Sequence, residues 1–351
     1  MLRTAVIGLG KQSINEHIPA IIRSNILEIV AVCDTDWEKV FNLSKKLNIK
    51  GYCSVIELIK NSKVDLAIVA VPHNQYLPII SALAKAGINI IKEKPFAVSL
   101  EEANILNNMV YGKVFLGVAL QRRFDPIYQE FFMMRDKLGK IYSIEGKYTL
   151  NIADLSDGWR ASKSEAGGGV VVDLGYHLID LLVWYFGLPN SITAFLSRKN
   201  RPMQQYDVED TASVLFDYHN PLSYDEKTIG NLILSRVYPR KQELLVVHGT
   251  EGIIELQRGQ ITRYDKEGNE LEKLIRDHDW YSAMVNQITY FSQSINKGKT
   301  WDSSDFQRHL PQVAFIQAVY DSDKRGCSCK PEDYINNMGG KDGKISNLGR
   351  I

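Results

Sequence analysis

At 351 residues the chain is longer than one typical core requires, which predicts two domains that each bury their own apolar surface. With 42 basic against 41 acidic residues the net charge is +1, which gives no electrostatic case for nucleic acid or an anionic membrane. The composition, 44% hydrophobic and 24% charged, is that of an ordinary globular protein, and no apolar run reaches the ~20 residues expected of a bilayer span.

Leu2 to Gly8 reads as a buried strand that begins almost at Met1, so no signal peptide is expected and a cytoplasmic location is. The turn Gly8-Leu9-Gly10-Lys11-Gln12-Ser13 follows, and residues 15–24 read as a helix. In a dinucleotide fingerprint the first glycine permits the tight turn and the second lets backbone approach pyrophosphate. The third small residue packs helix on strand, and Ser13 is small enough for that place. Leu27 to Cys33 is the second strand, ending at Asp34, whose carboxylate would accept ribose hydroxyls and repel a 2′-phosphate. That favours NAD over NADP, although Thr35 and Asp36 beside it leave open a helix cap.

A helix over Trp37–Leu47 and strands over 64–71, 88–91 and 114–118 continue the alternation. Near-continuous apolar strands between helices predict a doubly wound α/β domain with a parallel sheet, over residues 1–120. Lys92-Glu93-Lys94-Pro95 falls at the carboxyl end of that sheet, where ligands of open α/β sheets bind.

From residue 121 the pattern changes, and a second domain is expected over 121–335, with 336–351 as a loose tail. A strand at 141–150 leads into a loop, 151–169, that holds Asp157-Gly158-Trp159-Arg160. There the indole could cover a sugar face and the guanidinium could bind hydroxyl or acid oxygens. Gly167-Gly168-Gly169, read as room for close backbone approach to a ligand, precedes a helix with Asp173, His177 and Asp180 at i, i+4 and i+7. Three ionisable groups on one stripe suit acid/base chemistry; by itself the stripe is equally the solvated face of a helix. Strands at 212–218, 230–237, 243–248 and 252–256, then helices at 278–297 and 303–324, complete a largely antiparallel α/β second domain. Cys33 and Cys53 read as small thiols beside strands, and Cys327-Ser328-Cys329 lacks a partner pair at zinc spacing, so neither disulfide nor metal is expected.

Together Gly8-Leu9-Gly10, Ala70-Val71-Pro72, Glu93-Lys94-Pro95, Gln121-Arg122-Arg123-Phe124 and Gly168-Gly169 leading to Asp173, Gly175, His177 and Asp180 resemble the Gfo/Idh/MocA oxidoreductases, named for glucose-fructose oxidoreductase, inositol dehydrogenase and MocA. The resemblance covers nearly the whole chain. It implies an N-terminal Rossmann domain and a C-terminal domain with an open, largely antiparallel sheet that serves oligomerisation, as a homodimer or homotetramer. It implies NAD or NADP held by Gly8, Gly10, Lys11, Gln12, Ser13, Asp34, Pro72, Glu93 and Lys94, and catalysis by Lys94, Asp173 and His177, with His177 as acid/base. Substrate contacts are expected from Arg123, Trp159, Arg160, Asp173 and His177, and the substrate from among sugars, sugar acids, cyclitols and nucleotide sugars. Ser13 and Tyr76 depart from the family pattern: many members have a histidine where Tyr76 stands, and His73 nearby is either its substitute or an exposed loop residue. The alternatives are a noncatalytic dinucleotide sensor on the same fold, or a related enzyme that reduces a linear tetrapyrrole or cleaves a glycosidic bond through transient oxidation.

Overall fold

The computed structural model describes residues 1–219, 227–276 and 280–338. Six strands, β1 (Leu2–Ile7), β2 (Leu27–Cys33), β3 (Lys50–Tyr52), β4 (Leu66–Val69), β5 (Asn89–Glu93) and β6 (Leu116–Ala119), form one sheet in the order β3-β2-β1-β4-β5-β6. Every pairing in it is parallel. Helices α1 (Ile18–Ser24), α2 (Trp37–Leu47), α3 (Val55–Asn61), α4 (Tyr76–Lys85) and α5 (Leu100–Val110) connect the strands. β4 is buried at every position, as a strand covered on both faces must be. The strand order reverses between β1 and β4, so a crevice opens where their carboxyl ends diverge. Gly8 follows β1, Pro72 follows β4 and Lys94 follows β5, which gathers three separate sequence motifs at one end of the sheet. β3 escaped the sequence reading because a three-residue edge strand carries no periodicity.

After α6 (Pro126–Arg135), strand β7 (Ile141–Asn151) enters a second sheet. Helices α7 (Lys163–Ala166) and α8 (Tyr176–Phe186) precede β8 (Ser191–Ser197), β9 (Thr211–His219), β10 (Lys227–Ser235), β11 (Val237–Gly249), β12 (Gly252–Gln257), β13 (Gln260–Tyr264) and β14 (Glu270–Ile275). The order is β14-β13-β12-β11-β7-β10-β9-β8, antiparallel except where β10 lies parallel to β7. One face is packed beneath α8 and α10 (Ser303–Arg325). The opposite face leaves Phe195, Leu215 and Ile229 exposed.

Helix α9 (Trp280–Asn296) returns to the first sheet, packing against α1 and setting Phe291 against Gly117, where an added Cβ would lie 2.9 Å from the ring. Of the helix predicted over 278–297, positions 278 and 279 lie outside the described residues. The predicted tail begins too early: α11 (Pro331–Met338) is helical through its first three positions, and 339–351 lie outside the described residues. The expectation that no stretch has membrane-spanning character is also corrected. Lys163–Phe186, which runs from α7 through α8, is long and apolar enough, with a mean hydropathy of 1.4 over its most apolar window, yet 78% of that window is buried inside the fold.

Candidate active site

Gly8 has φ +88°, and a Cβ there would lie 2.2 Å from the Ala70 carbonyl, so the glycine lets the turns after β1 and β4 touch. Gly10 is exposed with nothing within 4 Å of a built Cβ, and a helical segment starts at Lys11 directly after it. Open space before the amide end of a helix suits a pyrophosphate. Asp34 accepts from the Leu9 amide at 2.6 Å and from the Asp36 amide at 3.0 Å, so it braces the glycine turn while standing half-buried beside it. Lys11 is exposed, and Pro72 caps a short 3-10 turn, His73–Gln75, at the crevice.

Ser13 is buried, and its hydroxyl donates to the Gly8 carbonyl, which is how it fills the third fingerprint position. It opens a π-helical turn, Ser13–His17, that delivers His17 to Glu93, Nε2 to Oε1 at 2.7 Å. Gln12 also reaches Glu93 Oε1, at 3.3 Å. Burial alone would raise the Glu93 carboxyl; the hydrogen bond and charge of His17, with the charge of Lys94, reverse this and hold it below the usual range. Glu93 therefore ties the helix after the glycine turn to the segment that carries Lys94.

Lys94 Nζ donates to the Asp173 carbonyl at 2.8 Å and to its Oδ1 at 3.0 Å. The other oxygen, Oδ2, accepts from Arg236 Nη2 at 3.1 Å and lies 3.5 Å from Arg160 Nε. Against the upward push of burial, Lys94, Arg160 and Arg236 hold this carboxyl well below its ordinary value. His177 is half-buried, with its ring centroid 6.2 Å from that of Tyr148. Loss of hydration within the fold, and then the charges of Arg122 and Lys94, press its pKa well below the ordinary 6.5. The imidazole is thus neutral at neutral pH and can accept a proton.

The predicted stripe divides. Asp173 lies in a second π-helical turn, Val171–Gly175, which breaks the 3.6-residue period on which the alignment rested. Asp180 is buried and accepts from Arg123 at 3.0 and 2.6 Å and from Gln312 at 2.9 Å. Arg123, expected at the substrate, is locked in that pair, whereas its neighbour Arg122 is the arginine that acts on His177, itself paired with Glu243 at 2.6 Å. The glycine run is corrected as well. A Cβ on Gly168 would lie 2.0 Å from the Tyr320 hydroxyl and one on Gly169 1.9 Å from the Glu209 carbonyl, so protein, not ligand, makes the close approach.

Arg160, beside Asp173, has its guanidinium over the Trp159 indole at 4.4 Å. Trp159 in turn meets His73 edge-on at 4.6 Å. His73 is buried, not an exposed loop residue; its Nδ1–H donates to the Ala166 carbonyl at 2.7 Å, and burial pushes its pKa down to about 3. Tyr76 turns into the core, where its ring faces the buried Lys92 ammonium at 3.9 Å. Sequence reasoning missed His17, Arg122 and Arg236. Arg236 follows β10 with no motif around it, and only the fold brings it to Asp173.

Residues 2–113 match the oxidoreductase family with NAD-binding Rossmann fold, and residues 133–255 match the GFO/IDH/MocA C-terminal domain. An uncharacterised oxidoreductase of Schizosaccharomyces pombe is 28% identical over 230 residues, 62% of this chain and 60% of that protein. The rhizopine catabolism protein MocA of Rhizobium meliloti is 30% identical over 191 residues, 53% of this chain and 57% of its own length. In fold the chain is similar to a levoglucosan dehydrogenase solved with NADH and L-sorbose, with a TM-score of 0.80 at 19% identity, covering 95% of this chain and 100% of that one. A Rossmann sheet with the glycine turn and Lys94 at one end, joined to the matching C-terminal domain that supplies Asp173 and His177, makes this chain a member of the Gfo/Idh/MocA oxidoreductase family.

Proposed function

We propose that the protein is a nicotinamide-dependent dehydrogenase or reductase that interconverts a secondary hydroxyl and a ketone on a sugar, sugar derivative or cyclitol. The observation that carries this reading is the meeting of Lys94 from the first sheet with Asp173 from the second domain, one helical turn before a neutral His177. A bound nicotinamide supplies the acceptor or donor of hydride. The residues fit a dinucleotide through the open Gly10, the helix starting at Lys11, and Asp34 at the end of β2. In the oxidative direction the substrate carbon loses its hydride, the hydroxyl proton passes to the unprotonated ring nitrogen of His177, and the C–O bond becomes C=O. Two of the three ammonium donors of Lys94 are engaged by Asp173, which leaves one for the substrate oxygen as charge develops on it. Asp173, ionised and held on both oxygens, orients Lys94 and is not itself the base. Asp34 supports a preference for NAD by repelling a 2′-phosphate. We further propose a homo-oligomer formed through the open face of the second sheet.

The test is a fluorescence titration with NADH and with NADPH, followed by a screen of polyols and sugars. Saturable binding with NADH the tighter ligand, and turnover of a secondary alcohol, are expected. A folded, cofactor-free protein that binds neither would overturn the reading.

A further inference from the structure

Among the three cations around Asp173, Arg160 differs from the others. Lys94 is bonded twice to Asp173, and Arg236, 2% exposed, spends its terminal nitrogens on Asp173 Oδ2 and on the Arg160 carbonyl at 3.4 Å. Arg160 approaches Asp173 with Nε at 3.5 Å from Oδ2, the longest of the three contacts, and 49% of its side chain is exposed. Its plane is braced over the Trp159 indole, which is braced in turn by His73. Among the described residues no group accepts a hydrogen bond from the Arg160 guanidinium, although half of the side chain is open to solvent beside Asp173.

Lys94 and the buried Arg236 donate hydrogen bonds to the two carboxylate oxygens of Asp173, whereas Arg160 acts on it through charge. Neighbouring acids have partners of their own: Glu93 is held by His17, Asp180 by Arg123, and Glu243 by Arg122. A guanidinium stacked on an indole and with N–H groups to spare can bind a carboxylate with two parallel hydrogen bonds, and its stacking reduces the ordering cost. We propose that the substrate carries a carboxylate, as a uronic or aldonic acid does, and that Arg160 binds this group while Lys94 and His177 handle the reacting hydroxyl. This rests on the dehydrogenase reading and narrows its substrate class.

The test uses the full chain and substrate pairs that share a carbon skeleton: D-glucuronate with D-glucose, and D-galacturonate with D-galactose. Binding of each sugar to the NADH-filled protein is measured by calorimetry, and NAD reduction is followed where it occurs. The acid of a pair is expected to bind roughly tenfold to a hundredfold more tightly than its neutral partner. Arg160→Met should bring that ratio to about one through Kd and KM rather than kcat, and Arg160→Lys should restore part of it. Equal or tighter binding of the neutral sugars overturns the proposal, as does an Arg160→Met variant that weakens acid and neutral sugars alike; either leaves the dehydrogenase reading standing. Binding of NADH without binding of either acid also overturns it. Failure to bind NADH at all overturns both.

Discussion

At the scale of single residues, the state of His177 decides which chemistry is open. Its pKa is pressed below 6.5 by loss of hydration and then by Arg122 and Lys94, so the imidazole is neutral at neutral pH, as the proposed proton acceptor must be. His177→Ala should cut turnover by roughly 10²–10⁴-fold while leaving the Kd for NADH unchanged. Only the neutral imidazole takes a proton, so the acid limb of the oxidation rate should lie well below pH 6.5, and a limb at or above that value would refute the assignment. Asp34 carries a second expectation. Asp34→Ser keeps a hydrogen-bond acceptor near the Leu9 amide but removes the charge, so the Kd ratio of NADPH to NADH should fall by roughly tenfold. A wild type that already binds NADPH more tightly would show that Asp34 does not act this way.

At the scale of elements, both stretches that build the candidate site contain a π-helical turn, Ser13–His17 just after the glycine turn and Val171–Gly175 just before His177. Each admits one more residue per turn than an α-helix, and each breaks the register that a sequence pattern assumes. The spacing of Asp173, His177 and Asp180 was legible, but their division between the cleft and the Arg123 pair was not, because a wide turn leaves no periodic signature. The glycines before that helix were legible as a close approach; what approaches is Glu209 and Tyr320, and only the fold names them. Glu209 also accepts from the Gly169 and Val171 amides at 2.8 and 3.1 Å, so this crossing fixes where the helix begins. Gly169→Ala should lower stability by about 1–3 kcal/mol, since backbone must shift to admit the methyl group. Denaturant unfolding with an unchanged midpoint would argue against that crowding.

At the scale of the whole molecule, His73 joins the two halves, hydrogen-bonding from the turn after β4 to the Ala166 carbonyl. Its folded pKa of about 3 lies below the 6.5 of an unfolded histidine, so the unfolded chain takes up the proton first. The stability contributed by this group is complete above pH 6.5 and is lost as pH falls toward 3. Between pH 6.5 and about pH 5 the loss is on the order of 2 kcal/mol. His73→Asn, which keeps a donor for Ala166, should flatten this part of the stability profile; an unchanged slope would remove His73 from the account. On the far side of the molecule, the exposed Leu215 and Ile229 lie on neighbouring strands of the open sheet face. Leu215→Glu is expected to reduce the sedimentation mass toward that of a monomer if this face joins subunits, and an unaltered assembly would place the interface elsewhere.

The sequence by itself determined the alternation of strands and helices, the glycine turn, and the presence of Lys94, Asp173 and His177, because these depend on local periodicity and on motifs contiguous in the chain. Only the tertiary structure decided which charge meets which. Arg236 reaches Asp173 across 63 residues, and His17 reaches Glu93 across 76. The strength of a buried charge depends on what surrounds it in space and on how far water is excluded, and neither quantity is written in the spacing of residues along a chain.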